Sequence, residues 1–296
     1  MTRALLVGLV VALLGGGALV ALPPSDPPQS GVRQPRADAP LLVDEFDQPP
    51  GLITNAWAYY HPYDPAGRVS PVWQVTSGSL FARGDRAWTG APDLAQPDLG
   101  SSAGSGSAVF RLRSRRADLL DVEVRARVRV LQWTDVWGGS PDAVVLWARY
   151  QSEQHLYLIN VLTSAGTVSA AKKVPAGPSP RNGGTYFTLP PYVSQRAAPV
   201  ELGRWYEVGL QVCTGPGGRT SLTVLRDGEV VHQVEDVGVG STVQLADTGA
   251  LVTDESPPIS EPGRVGVRAD DAGLEIDRFE VRSLLDCPTG TAELQH

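Results

Sequence analysis

The sequence predicts an all-β fold, an antiparallel β-sandwich, and three stretches carry that reading. Between residues 203 and 236 two apolar runs flank Asp227-Gly228, with Leu222, Val224 and Val230 alternating with polar residues. An Asp-Gly pair in that setting signals a two-residue hairpin, whose tight turn needs positive φ at both central positions. The run DVEVRARVRVLQW (121–133) sets Val122, Val124, Ala126, Val128 and Val130 against Glu123, Arg125, Arg127 and Arg129. A strict period of two over that length puts one face on a core and the other in water. GRVGVRAD (263–270) and LEIDRFEVRSL (274–284) add two short runs bounded by Gly, Pro and Asp turns.

The remaining elements follow in chain order. Residues 4–22 carry no charge and follow Arg3, with Gly16-Gly17-Ala18 offering a small-residue cleavage site, so 1–22 reads as a signal peptide or a retained signal anchor. Uncleaved, the apolar segment spans about 28 Å as a helix, enough for a bilayer, with Arg3 on the cytoplasmic side. In either case the rest of the chain is secreted or membrane-anchored with its domain outside the cell. Residues 23–40 are a Pro-rich linker that cannot bury enough apolar surface to order itself. Residues 41–287 read as one domain of about 245 residues, a size that single sandwiches reach, and 288–296 as a tail.

Within the domain, LLVDEFDQPPG (41–51) reads as an opening strand and turn, and SPVWQVTSGSLFARG (70–84) as a strand pair turning at Ser77-Gly78. Residues 89–107 and 175–199 are rich in turn formers without a period, and read as loops. SAVFRLRS (107–114) is a further strand. DAVVLWARYQSEQHLYLINVL (142–162) is a hairpin turning at Ser152-Glu153-Gln154, and GTVSAAKKV (166–174) supplies the next strand. Simple alternation puts Trp147 and Arg149 on one face and Tyr150 on the other, with Leu146.

The Trp-led strand at 205, the DG hairpin, the GRVG strand and the acidic last strand follow one another as in concanavalin A-like jelly rolls of the laminin G and glucanase type. The opening strand, the pair at 70–84 and the RYQ, LYL and Lys-bearing strands resemble the same family, over about residues 42–284. That resemblance implies a carbohydrate as ligand class. It suggests an exported glycan- or glycoconjugate-binding jelly roll. The alternatives are a glycoside hydrolase or polysaccharide lyase of the same fold, and a protein-binding or structural laminin G-like ectodomain.

The resemblance also implies candidate residues. Glu275-Ile276-Asp277-Arg278-Phe279-Glu280 matches the E-I-D-x-x-E arrangement of a retaining endo-glucanase family. Such a family needs two carboxylates about 5 Å apart, and a strand with a bulge can present them on one face. The same letters also read as an ordinary acidic edge strand. Relatives hold a structural calcium between first and last strands, which points to Asp44, Glu45, Asp47 and Asp277, hard oxygen ligands suited to Ca²⁺. Sugars pack on aromatic faces beside a few fixed polar groups. Trp137, Trp147, Arg149, Tyr157, Lys172 and Tyr186 are the candidate lining, with Trp88 and Tyr192 in loops nearby. Asp142 and Glu153 are the only carboxylates that the expected topology brings near them.

Composition excludes other classes. The net charge is −7 and the pI about 5.1, against a sequence-independent nucleic-acid binder, which needs a basic surface. His61, His155, His232 and His296 lack metal-ligand spacing, and Ser164, Ser194 and Ser241 lack a GxSxG setting. The only lysines are Lys172 and Lys173. Two cysteines in an exported chain favour a bridge, Cys213 to Cys287, over two separate thiols. Closing a loop of that length is worth about 4 kcal/mol by chain entropy.

Overall fold

The computed structural model describes residues 39–285 and 287, apart from 92, 103–108, 135–141, 179–182 and 195–197. The expectations for 1–22, for the linker up to residue 38, for 288–296 and for Trp137 lie outside the described residues.

Alternating runs become strands. β1 (Leu42–Asp44) and β2 (Gly51–Asn55) lead into the five-residue helix α1 (Ala56–Tyr60). Asn55 caps that helix, its side chain accepting from the Ala58 amide at 3.0 Å. β3 (Trp73–Ser77), β4 (Ser79–Ala82), β5 (Ala87–Trp88) and β6 (Phe110–Ser114) precede the long β7 (Val122–Trp133). The hairpin of β8 (Ala143–Ser152) and β9 (His155–Thr163) is followed by β10 (Ser169–Val174) and β11 (Thr185–Thr188). The chain continues through β12 (Trp205–Thr214), β13 (Thr220–Arg226), β14 (Glu229–Asp236), β15 (Thr242–Leu245) and β16 (Leu251–Thr253). β17 (Arg264–Asp270) and β18 (Ala272–Ser283) complete the fold.

The strands form two nine-stranded sheets. Sheet A runs β14-β13-β12-β7-β18-β5-β4-β2, with β1 on β18, and sheet B runs β16-β15-β11-β10-β9-β8-β17-β6-β3. Every pairing is antiparallel. The expected sandwich is the architecture, and its core lies between the sheets. Val122, Val124, Ala126, Val128 and Val130 of β7 are all buried there, against Leu146, Ile159, Val161 and Val267 of sheet B. Residues Arg125 and Arg127 on the opposite face of β7 are exposed, as the period of two requires. The hairpin at Asp227-Gly228 has φ of 53° and 84°, both positive as a two-residue turn of this kind demands.

Two differences from the sequence reading matter. The stretch 175–199 is not loop throughout, because Thr185–Thr188 pairs with β10 and β15. Four residues are too few to show a period, so their β-branched and aromatic content was the only signal. The second difference is a bulge in β8. Three residues, Ala148 to Tyr150, occupy what two would fill, since Trp147 pairs with Gly266 and Tyr150 with Arg264. Arg149 takes φ of 45°, a left-handed conformation that costs a non-glycine residue about 1–2 kcal/mol. Its guanidinium offsets this inside the protein, donating to Thr220 Oγ1 (2.8 Å), Ile259 O (2.6 Å), Thr214 Oγ1 (2.8 Å) and Asp121 Oδ1 (2.9 Å).

Cys213, near the end of β12, is bonded to Cys287 beyond β18, with Cα atoms 5.5 Å apart and a sequence separation of 74.

Candidate functional site

The bulge decides which side chains meet on the outer face of sheet B. Strict alternation would turn Tyr150 away from Trp147, but the extra residue returns it to the same side. The two rings stack at 5.2 Å with an interplanar angle of 26°. With Ala143, Val145 and Leu156 they form a second apolar cluster outside the main core, against which Leu158 packs.

Charge surrounds this patch. Register places Arg111 opposite Arg268 and Val145 beyond it, and Arg113 opposite Gly266 and Trp147. Lys173 pairs with Leu156 and Tyr186 on its two sides. Arg113 donates to the Tyr150 hydroxyl (2.7 Å) and to Gln74 Oε1 (3.2 Å), and lies over the rings of Tyr59 and Tyr150 at 5.0 and 4.9 Å. Lys173 sits 4.5 Å from the centre of the Tyr186 ring. The tip of the β8–β9 hairpin turns over the face, so that Glu153 accepts from Arg111 at 3.0 Å. Asp270 accepts from Arg268 at 2.6 Å. Arg264, the next outward residue along β17, donates to the carbonyls of Ser114 and Arg115.

Among the described residues the face therefore carries Arg111, Arg113, Arg264 and Arg268 against Glu153 and Asp270, with Lys173 buried beside the Tyr186 ring. Among the described residues neither Arg113 nor Arg264 has a carboxylate partner. Trp147 and Tyr150 are 3% and 1% exposed and form a floor, whereas Glu153 is exposed and Arg111, Arg268 and Tyr186 are half-buried. Burial pushes the Tyr150 phenol up to about 12, so it stays a neutral hydroxyl that accepts from Arg113.

Three residues of the candidate lining are elsewhere. Arg149 is turned into the interior by the bulge. Tyr157 is buried in the core, where its hydroxyl donates to Asp236 (2.7 Å) and accepts from the Ile259 amide (2.9 Å). Lys172 points inward beside Asp236 and Asp254. Trp147 and Tyr186 are the two that the outer face brings together. Trp88 is on the other sheet, and Asp142 is half-buried at the start of β8. Sequence reasoning missed Arg111, Arg113 and Arg268. The alternation of Arg111 and Arg113 with Phe110 and Leu112 was the available sign that both point away from the core.

The acidic motif of β18 lies on the outer face of sheet A. A bulge between Ile276 and Arg278 sets Asp277 aside, and Glu275 and Glu280 project on the same side. Each carboxylate is held by arginine. Glu275, with a side chain 2% exposed, is bound by Arg83 (2.7 Å), Arg86 (3.5 Å) and Arg129. Asp277 pairs with Arg127, and Glu280 with Arg278 (2.9 Å) and Arg282. Glu275 is thus enclosed by three arginines, of which Arg83 is partly open to solvent.

The four residues considered for calcium do not gather. Asp44 accepts from the Phe46 amide (2.9 Å) and the Trp73 indole (2.6 Å), Glu45 pairs with Arg278 (3.3 Å), and Asp277 is taken by Arg127. Among the described residues no group of three or more His, Cys, Asp or Glu is placed to hold a metal ion. The residues do not fit calcium, and no role is derived for it.

A separate cleft of ≈ 950 Å³ lies by the β10–β11 connection and the 253–261 segment, lined by His155, Val174, Phe187, Val252, Pro257 and Pro258 among others. No Trp or Tyr is among its described lining residues, and residues 179–182, which follow on from its lining, are outside the described set.

No protein-family model matches the chain, and no curated protein matches it. Solved structures do. It is similar to carbohydrate-binding module CBM66 from Bacillus subtilis, with 14% identity over 71% of this chain and 95% of that one at a TM-score of 0.43. It is similar also to a structure reported under endo-acting O-glycanases of the human gut microbiota, at 12% identity, 83% and 100% coverage and a TM-score of 0.48. A glycosyl hydrolase family 16 protein from Mycobacterium smegmatis gives 12% identity, 82% and 100% coverage and a TM-score of 0.43. These are likenesses of fold between chains of low identity.

Proposed function

We propose that this protein binds an acidic glycan or glycoconjugate outside the cell, on the outer face of sheet B. One observation carries the reading. In a chain of net charge −7, that face collects, among the described residues, four arginines against two carboxylates around an aromatic floor. Guanidinium groups form charge-assisted, often paired hydrogen bonds to carboxylates and sulfates, and aromatic rings take the C–H faces of sugars. Tyr186 and the exposed Tyr60, which lies within electrostatic reach of Glu153, Arg111 and Arg113, supply ring surface at the rim, and Arg111, Arg113 and Arg268 the anion contacts. The two carboxylates are each paired with arginine, which favours binding over acid–base cleavage.

Affinity electrophoresis of the purified protein through gels containing neutral polysaccharides (glucan, mannan) or acidic ones (polygalacturonate, alginate, hyaluronan) tests this, with released ends assayed in parallel. Retardation by the acidic set alone is the expected result. Retardation by neutral glycans only would remove the charge argument, and no retardation by any would turn the reading toward a protein ligand. Release of unsaturated or reducing ends would transfer the same face to a lyase or hydrolase.

A further inference from the structure

Lys172 lies inside the sandwich with a fully buried side chain, between two aspartates whose side chains are also fully buried. Its Nζ is 3.2 Å from each oxygen of Asp236 and 2.6 Å from Asp254 Oδ2. The two carboxylates are held differently. Asp236 accepts from the Tyr157 hydroxyl (2.7 Å), from the Gly238 amide (3.0 Å) and from Lys172, so both of its oxygens are in hydrogen bonds. Asp254 uses Oδ1 to accept from the amide (2.8 Å) and hydroxyl (2.6 Å) of Ser256, while its Oδ2 makes no hydrogen bond among the described residues. The 2.6 Å contact from Nζ thus lacks the directionality of a hydrogen bond. Nζ spends its donors instead on Asp236 and on the carbonyls of Ser256 and Pro257, each at 3.2 Å. An amine is pressed against a carboxyl group in a dry interior, and a second carboxylate touches the same nitrogen.

We propose that Lys172 and Asp254 condense to an intramolecular isopeptide bond, with Asp236 as the proton carrier. The Lys172 ammonium gives a proton to Asp236, and the neutral amine attacks Cγ of Asp254, forming the N–C bond. Protonated Asp236 returns its proton to the departing oxygen of Asp254, which with the second ammonium proton leaves as water. The sum is one ammonium and one carboxylate converted to one amide and one water, with no oxidant and no co-reactant. Two features favour it. Burying an ion pair away from water is costly and an amide is much less so, and the shortage of water in the core draws the dehydration forward. The roles follow from the contacts: Asp254 has the oxygen that is in no hydrogen bond and the closer approach, whereas Asp236 is fixed on Tyr157. The product would tie β10 to the segment after β16, on the side of sheet B away from the glycan face.

Mass spectrometry of the full-length purified chain, reduced and digested, decides it. The expected result is a branched peptide joining the Lys172 and Asp254 segments, lighter than their sum by one water. Because Lys172 and Lys173 are the only lysines, amine labelling of the denatured chain should count one lysine amine, not two. Asp254→Asn should still condense but with loss of ammonia, which marks the position of the bond. Asp236→Asn should leave two labelled amines in a chain that still forms the Cys213–Cys287 bridge. Two free lysine amines and unlinked peptides in the unaltered chain would overturn the proposal and leave an ion cluster.

Discussion

At the scale of single residues, Arg113 is the side chain on which the binding reading turns. It is held between Tyr59 and Tyr150, and none of its described partners is a carboxylate, so its charge faces whatever the sheet receives. A hydrogen bond to a charged group is worth about 1.5–3 kcal/mol. Arg113→Ala should therefore weaken acidic-glycan binding by roughly 10- to 100-fold. Unchanged retardation in the acidic gels would show that the ligand sits elsewhere. His232 gives a prediction about pH. Burial lowers its affinity for protons in the fold, and among the described residues its Nε2 has no hydrogen-bond partner. The unfolded chain, with a histidine near the usual value of about 6.5, then binds the proton more tightly, so stability falls as pH drops below that value. His155, also lowered by burial, acts in the same direction. Thermal melts from pH 7.5 downward should show this slope, and His232→Leu should flatten part of it. An identical slope in the variant would place the source elsewhere.

At the scale of elements, two bulges do opposite things. In β8 the extra residue gathers Trp147 and Tyr150 on one face and sends Arg149 inside. In β18 it sets Asp277 apart while Glu275 and Glu280 keep to one side, each among arginines. Glu275 thus acts as an anchor between β18, β7 and the β4–β5 connection, through Arg129, Arg83 and Arg86. Removing one partner from a buried ion cluster is strongly destabilising, and here the arginines retain partial access to water. Glu275→Ala should cost about 2–4 kcal/mol in urea unfolding. A loss below 1 kcal/mol would mean that the cluster contributes little.

The same two elements show what could be read from the letters alone. The period of two in β7, the Asp-Gly turn and the short Gly-bounded strands made the antiparallel sandwich legible, because each is a local pattern with a local cause. The candidate site was only partly legible. Trp147 and Tyr186 meet on one sheet face, but Arg149, Tyr157 and Lys172 are interior. Tyr157, opposite the buried Ala148, and Lys172, opposite Tyr157, face inward through their own strand pairings. The register slip at Arg149 changes which face Arg149 and Tyr150 take at the end of β8, and nothing in RYQ announces a left-handed arginine. Its cause is tertiary, in carbonyls and hydroxyls of Ile259, Thr214 and Thr220 far along the chain.

At the scale of the whole molecule, charge is segregated rather than scattered. Acidic overall, the protein carries on sheet A a lattice of mutually satisfied arginines and carboxylates, and on sheet B a cationic excess. Binding that depends on the second should weaken steeply with salt, since exposed charges are screened over about 10 Å at 0.1 M. Raising ionic strength from 0.05 to 0.5 M should release acidic glycans. Retention that survives such salt would instead assign the energy to the aromatic rings.

The pairing of β1 with β18 has a further meaning. Leu42 lies opposite Val281, and the Leu41 amide donates to Val281 O at 2.7 Å, so the entry and exit of the folded body are neighbours. A body whose two ends leave from one corner can be spliced as a cassette into a surface loop of another protein without being stretched open. By the same geometry, its own ends can be joined by a short connector and new ones cut at Asp227-Gly228.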